Sequence, residues 1–209
     1  MSSPERSVFQ EAYLSRSAPW VIGAPQPAVV ELERTGAIRG AVLDAGCGTG
    51  EHTIHLARLG YDVLGVDFAP AAVGQARANA ARYGVSARFE VADALHLDGL
   101  TGFDTVLDSA LFHVFGDDDR ERYVRALHGA CLPGAVVHVL ALSDAAPGFG
   151  PRISDQVIRA AFDGPDWELE ALEPSWYRGQ ATAEQRAELG LPADGPVDVL
   201  AWLARVRHR

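Results

Sequence analysis

The stretch Ala41-Val42-Leu43-Asp44-Ala45-Gly46-Cys47-Gly48-Thr49-Gly50 constrains the fold more than any other part of this sequence. An apolar run ends in an acid, three glycines alternate with small residues, and a helical pattern begins at Glu51. That order describes a strand, a tight turn and a helix N-terminus, the opening unit of a nucleotide-binding α/β sheet. Some of the glycines allow backbone angles closed to other residues, and others let a ligand approach the main chain. Unpaired N–H groups at the start of the helix suit an anionic group such as a carboxylate. The turn points to a cofactor without saying which.

The rest of the chain repeats the alternation. Residues 5–14 read as a short amphipathic helix with Val8, Phe9 and Ala12 on one side. An irregular segment rich in proline and glycine, Ala18 to Pro27, carries Trp20, which reads either as a plug over the core or as a lid residue. A helix from Ala28 to about Arg34 precedes the first strand, 41–45; a helix from Glu51 to Leu59 follows it and stops at Gly60. Further strands are expected at 61–67, 87–91, 103–108, 135–142, near 167–172 and at 197–206. Helices are expected from Pro70 to Gly84, from Asp117 through Cys131, and near 154–162. Pro133-Gly134 reads as a turn, and residues 174–195 as irregular or partly helical. Strands alternating with helices of this length imply an α/β fold, a mostly parallel Rossmann-like sheet covered on both faces. Two late strands with no long crossover helix at the end suggest an antiparallel edge pair.

Length and charge narrow the function. The 209 residues suit one domain, 1–209, with residues 1–36 as a helical lid and 174–195 as an insertion near the site. Against 28 acidic residues stand 18 basic ones, a net charge of −10, which argues against a nucleic-acid partner. The first residues include Glu5 and Arg6 with no apolar core, so a signal peptide is not expected, and no window suits a membrane span. The two cysteines, Cys47 and Cys131, form neither a metal pattern nor a disulfide framework. A cytoplasmic protein, monomeric or homodimeric and without a metal, is expected.

Four acids stand at or near strand ends: Asp44, Asp67, Asp93 and Asp108. Ligands of open α/β sheets bind beyond the carboxyl ends of the strands, so these acids suggest a ligand bearing hydroxyls, amines or positive charge. Asp67 is placed where a carboxylate accepts both ribose hydroxyls. The glycine spacing is not the G-x-G-x-x-G of nicotinamide enzymes, and no lysine follows the turn as in a phosphate-binding loop. An acid just before the glycines favours a cofactor with an amino-acid moiety, such as S-adenosylmethionine.

Leu43-Asp44-Ala45-Gly46-Cys47-Gly48-Thr49-Gly50, Val66-Asp67 and Asp93-Ala94 resemble the first three motifs of class I S-adenosylmethionine-dependent methyltransferases. Leu132-Pro133-Gly134 before the fifth strand is similar too, with Ala135 where the family often has a second glycine. The resemblance implies a seven-stranded sheet whose last strand is antiparallel. Pro19 to Pro27, Gly50-Glu51-His52, Leu107 to Phe115 and Gly150-Pro151-Arg152 look like a small-molecule branch. That branch includes actinobacterial heterocycle (quinolone-type) methyltransferases, with thiopurine and halide/thiol methyltransferases as more distant relatives. It implies methyl transfer to O or N of a small aromatic heterocycle, or alternatively to a thiol, thiopurine or halide, with S-adenosylhomocysteine as product. A cofactor-binding protein without catalysis is a third reading.

By the resemblance Trp20 lines the cofactor pocket, Asp67 holds the ribose and Asp93-Ala94 meet the adenine. The remaining expected cofactor contacts are Asp44, Gly46, Cys47, Gly48, Thr49, Gly50, His52, Phe68 and Asp108. His113, near strand-end Asp108, is the histidine best placed to take a proton from the acceptor, and the two form the expected catalytic pair. A histidine satisfied by backbone is the competing reading of His113. Tyr13, Phe112, Phe149, Arg152 and Trp176 are expected around the substrate, with Phe115 and Tyr177 as further aromatics. Core packing is the simpler explanation of each aromatic taken singly.

Overall fold

A computed structural model describes residues 6–209. Its centre is a seven-stranded sheet in the order β3-β2-β1-β4-β5-β7-β6. The strands are β1 (Val42–Ala45), β2 (Val63–Asp67), β3 (Arg88–Val91), β4 (Phe103–Ser109), β5 (Cys131–Leu142), β6 (Trp167–Gly179) and β7 (Val197–His208). Only β7 runs against its neighbours, antiparallel to both β5 and β6, as the late part of the sequence suggested. The helices are α1 (Arg6–Leu14), α2 (Pro27–Arg34), α3 (Glu51–Arg58), α4 (Pro70–Arg82), α5 (Asp117–Ala130), α6 (Asp155–Ala161) and α7 (Ala183–Leu189). Glu5, included in α1 by its sequence pattern, lies outside the described residues. Among those described, no helix is long and apolar enough to cross a membrane.

β1 and β2 are buried along their whole length, because covering helices exclude water from both faces. One core gathers Leu43, Val106, Tyr123, Leu127 and Val137, and Val42, Leu56, Val63 and Leu107 form a cluster with Val29 and Ile38. Small residues set the closest contact. A Cβ on Gly50 would stand 2.9 Å from both Ala76 Cβ and the Phe89 ring, so glycine and the alanines of α4 let helix and turn meet. The three acids opening α5 match the positive end of its dipole, and Arg120 pairs with Asp117 one turn on.

Two expectations about the second half need correction, both at prolines. Pro133-Gly134 does not end the chain's extended path. It forms an irregularity within β5, which pairs Cys131 with Phe103 and resumes at Val136 opposite Thr105. Residues 174–179 are not irregular either, since β6 runs through Pro174 to Gly179, with Pro174 opposite Trp202. β6 is the sheet's edge, bonded only to β7, so an edge strand tolerates the missing proline N–H. The helical part of residues 174–195 is α7, begun by a reciprocal capping box between Thr182 and Gln185.

From β1 the chain goes to β2 on one side, and β4 lies on the other. The crevice at the carboxyl ends of β1 and β4 is therefore the switch point where such sheets bind ligands.

Candidate active site

A cavity of about 440 Å³ opens at this switch point. Its floor is Gly46, Val66, Asp67 and Phe68, with Ala92, Asp93, Ala94 and Leu95 beside them. Gly46 has φ +72°, and a Cβ there would lie 3.1 Å from Leu111 Cδ2. A Cβ on Gly48 would stand 3.0 Å from the Tyr13 hydroxyl. Asp67 closes β2 with its carboxylate fixed at both oxygens: Oδ2 accepts the Gly48 N–H at 3.0 Å and Oδ1 the Ala69 N–H at 2.9 Å. Burial pushes its pKa up to about 6, against those two bonds. Asp93 Oδ1 accepts the Leu95 N–H, and Oδ2 stands 3.1 Å from His96 Nδ1.

The opposite wall comes from the segment after β4 and from the N-terminal segment before α2. Ala110 sits at φ +69°, a conformation unusual for a residue with a Cβ, and its N–H donates to Leu140 O. The chain then makes one 3₁₀ turn, Phe112–Val114, which brings His113 to the cavity. The Leu142 N–H donates to His113 Nδ1 at 3.1 Å, and burial holds the imidazole pKa down at about 3. Ser109 Oγ, buried on the same wall, has no hydrogen-bond partner among the described residues. Overhead, the Trp20 Nε1–H donates to the Tyr13 hydroxyl at 2.8 Å, and Phe149 and Tyr177 close the apolar side. Gln26 ties this segment to the sheet: its side chain donates to Arg178 O at 2.7 Å and accepts the Arg178 N–H at 2.9 Å. Gln180 N–H donates to Pro19 O at 2.7 Å, a second tie.

Comparison with known proteins decides the family. A family model described as a methyltransferase domain matches residues 42–134. A protein of Mycobacteroides abscessus named 2-heptyl-1-hydroxyquinolin-4(1H)-one methyltransferase is 32% identical, with all of both chains aligned. The chain belongs to the S-adenosylmethionine-dependent methyltransferases. A 42% identical structure, solved in work on the conversion of a disulfide bond into a thioacetal group during echinomycin biosynthesis, superposes with a TM-score of 0.84. It covers 97% of the methyltransferase, which in turn covers 92% of it. A methyltransferase of Anabaena variabilis, 18% identical, shares the fold with a TM-score of 0.75 over 100% and 98% of the two chains.

The methyltransferase's cofactor is S-adenosylmethionine, and the floor fits it. Asp67 uses one lone-pair direction of each oxygen on backbone and keeps the rest for hydroxyls in the cavity. Gly46 offers bare main chain where any side chain would meet Leu111. Both are features a ribose and an amino-acid moiety would require.

Of the residues expected from the sequence, the methyltransferase brings Tyr13, Trp20, Gly46, Asp67, Phe68, Asp93, Ala94, His113 and Phe149 to the cavity, with Phe115 and Tyr177. Others stand behind it. Asp44 Oδ2 accepts the Thr53 N–H at 3.1 Å and the Thr53 hydroxyl at 2.6 Å, so this acid braces the start of α3 from below. Cys47 packs with Ile54, Val73 and Phe89, and the Thr49 hydroxyl bonds Glu51. Gly48 donates to Asp67, while Gly50 packs on α4. His52 Nε2 accepts the Gln26 N–H at 3.2 Å, which makes it a tie between α3 and the start of α2.

Four further expectations are corrected by position. Asp108, only 1% exposed, accepts the Leu111 and Phe112 N–H groups through Oδ1 and is absent from the cavity wall. Phe112 is fully buried, stacked on Phe162 at 5.8 Å. Arg152 turns back to donate to Ala146 O. Trp176 is exposed on the edge strand β6. Sequence reasoning missed Ser109, Leu142 and Gln26 as parts of the site or its supports. Ser109 had a signal, its place at the carboxyl end of a strand beside the glycine turn. Leu142 had none, because it contributes a backbone N–H.

Proposed function

We propose that this methyltransferase transfers a methyl group to an oxygen or ring nitrogen of a small, flat, largely apolar heterocycle such as a hydroxyquinolone. The observation that carries the reading is the wall facing the cofactor floor. Tyr13, Trp20, Phe149, Tyr177 and Phe115 surround the space with aromatic surface, and His113 and Ser109 supply its inner polar groups. Such a cavity rewards a planar apolar body carrying one polar edge. The full-length relative named for a hydroxyquinolone supports the same class.

When bound, S-adenosylmethionine supplies an electrophilic methyl on a sulfonium. This chain's residues hold the two partners together and keep water out, and positioning of that kind supplies several kcal/mol. Asp67 takes the ribose hydroxyls, Asp93-Ala94 the adenine edge, and the Gly46–Gly48 backbone the amino-acid end. Asp44 supports the turn from beneath. Residues 6–36 act as a lid, with α1 and the Trp20 loop over the cavity and Gln26 as their anchor. The 174–195 segment closes the far side through Tyr177 and Gln185.

A sulfur acceptor is the second reading. It is favoured by the 42% identical structure from work on a disulfide-to-thioacetal conversion. A screen with methyl-labelled cofactor over hydroxyquinolones, phenols, ring N–H heterocycles, thiols and disulfides separates the two. Label on O or N of a heterocycle is the expected result. Label confined to thiols or disulfides would replace the first reading with the second.

A further inference from the structure

The histidine that the sequence offers as a proton acceptor is held in the opposite sense. The Leu142 N–H points at His113 Nδ1 across 3.1 Å. A backbone amide cannot give up its proton, so Nδ1 must be the unprotonated nitrogen, and a neutral ring then carries its hydrogen on Nε2. His113 is 4% exposed and lines the cavity, and the Leu142 bond is the one hydrogen bond its ring makes among the described residues. Nε2 is therefore left for whatever enters.

No ion pair stabilises a second proton on His113 among the described residues. Facing the same cavity are Tyr13 from α1, Asp67 from β2, Asp93 and His96 after β3, Asp119 and Arg122 from α5, and Tyr177 from β6. β5, packed directly against the 3₁₀ turn, presents Leu142. None forms an ion pair with His113, and burial alone depresses its basicity.

We propose that His113 is a fixed hydrogen-bond donor to the acceptor atom rather than a general base, and that the acceptor arrives already without its proton. This rests on the heterocycle reading above. The balance is simple. The ionised acceptor oxygen or nitrogen, having lost its proton to water before binding, provides the electron pair of the new bond to carbon. The old carbon–sulfur pair leaves with sulfur, and the charges of anion and sulfonium cancel. No proton crosses the enzyme. The Nε2–H selects the anion over its neutral conjugate acid, since it bonds best to a charged lone pair. Ser109 Oγ, buried and unpartnered on the same wall, is a second group able to donate there.

Two measurements test this. The first is ¹⁵N NMR of histidine-labelled protein with S-adenosylhomocysteine, which reads the tautomer without any turnover. His113 should show a protonated Nε2 and an unprotonated Nδ1, unchanged from pH 5.5 to 8.5. A ring that titrates in that range, or carries its hydrogen on Nδ1, overturns the proposal. The second uses methyl transfer by His113→Leu and His113→Gln. The amide of Gln accepts the Leu142 N–H and still offers a donor, but it is no base. Loss of the donor in His113→Leu should lower kcat/KM about 10²-fold, and His113→Gln should recover most of it. Across wild-type acceptors of differing acidity, the rise of kcat/KM with pH should follow each acceptor's own ionisation. A common inflection for all acceptors that disappears in His113→Gln, with that variant as slow as His113→Leu, overturns the proposal. A wild-type enzyme that methylates no heterocycle would defeat the substrate reading instead, and the NMR result would still decide the tautomer.

Discussion

Two turns meet over the cavity, and they are built on opposite plans. β1 and β4 are neighbours, paired in register with Ala45 beside Asp108. Each carries a buried aspartate whose oxygen accepts N–H groups from the segment that follows: Thr53 for Asp44, Leu111 and Phe112 for Asp108. Each turn then passes through left-handed backbone. After β1 this is done by Gly46, Gly48 and Gly50, and the surface offered to the ligand is main chain. After β4 it is done by Ala110, and the surface offered is the side chains of Ser109 and His113. The first turn suits a constant ligand met by backbone, and the second a ligand whose identity side chains must choose. They touch where a Cβ on Gly46 would press into Leu111.

That contact gives the largest expected effect. Gly46→Val forces a branched residue to φ +72° and drives it into Leu111. Both turns should be displaced together, with affinity for S-adenosylhomocysteine falling more than about 10²-fold by calorimetry, a loss on the order of 3 kcal/mol. Binding within tenfold of wild type would show that the turns move independently.

Asp108→Asn tests the second turn alone. Burial pushes Asp108 up to about 7, moderated chiefly by the Phe112 N–H, whereas an unfolded aspartate titrates near 3.9. Between those values the folded protein holds a proton that the unfolded chain has released. Stability from this group therefore falls as pH rises from about 4 and is lowest above 7. Asparagine accepts the same two N–H groups and never ionises. Its stability relative to wild type should improve from pH 5 to pH 8 by about 3 kcal/mol in denaturant titrations. A difference independent of pH would mean that Asp108 is ionised at low cost in the fold.

The sequence makes four strand-end acids look alike, and the comparison of turns explains why the structure does not treat them so. In-register residues of parallel strands share a face, and faces alternate along each strand. Asp44 stands level with Gly65, two residues short of Asp67, so it is on the same face but deeper. Asp108 stands level with Ala45 and hence with Val66, one residue short, so it points to the other face. Register is a property of the sheet, and no local pattern reveals it. The glycine turn was legible because backbone demands are written in residue type. The donor sense of His113 was not, because its partner is the N–H of Leu142, a group every residue but proline possesses. The run of β6 through Pro174 was not legible for a related reason: whether a missing N–H matters depends on whether the strand is an edge.

The N-terminal segment should weight the two turns unequally. Tyr13 reaches Gly48 of the first turn, and the Trp20 Nε1–H steadies its hydroxyl. Trp20→Phe keeps an aromatic ring near Phe9 and Tyr13 but removes that donor. Cofactor affinity should weaken several-fold, about 1 kcal/mol, with the KM of the methyl acceptor changed by less than twofold. A larger change in acceptor KM than in cofactor affinity would assign the loop to the second turn instead.

Exchanging residue types between the turns gives the smallest effect and the sharpest contrast. Ala110→Gly relieves a left-handed alanine, a gain of about 1 kcal/mol. Against it stand the added freedom of glycine in the unfolded chain, about 0.4–1 kcal/mol, and a methyl partly buried against the cluster that holds Leu140 and Phe149, about 0.8 kcal/mol. The terms nearly cancel, and stability should stay within about 1 kcal/mol of wild type. The mirror change, Gly46→Ala, gains that same unfolded-state term but places a Cβ in the left-handed region and against Leu111, and should still cost about 2 kcal/mol. If Ala110→Gly cost as much as Gly46→Ala, the methyl of Ala110 would be what holds the second turn in place. The left-handed conformation there would then be a consequence of packing rather than a strain the site carries.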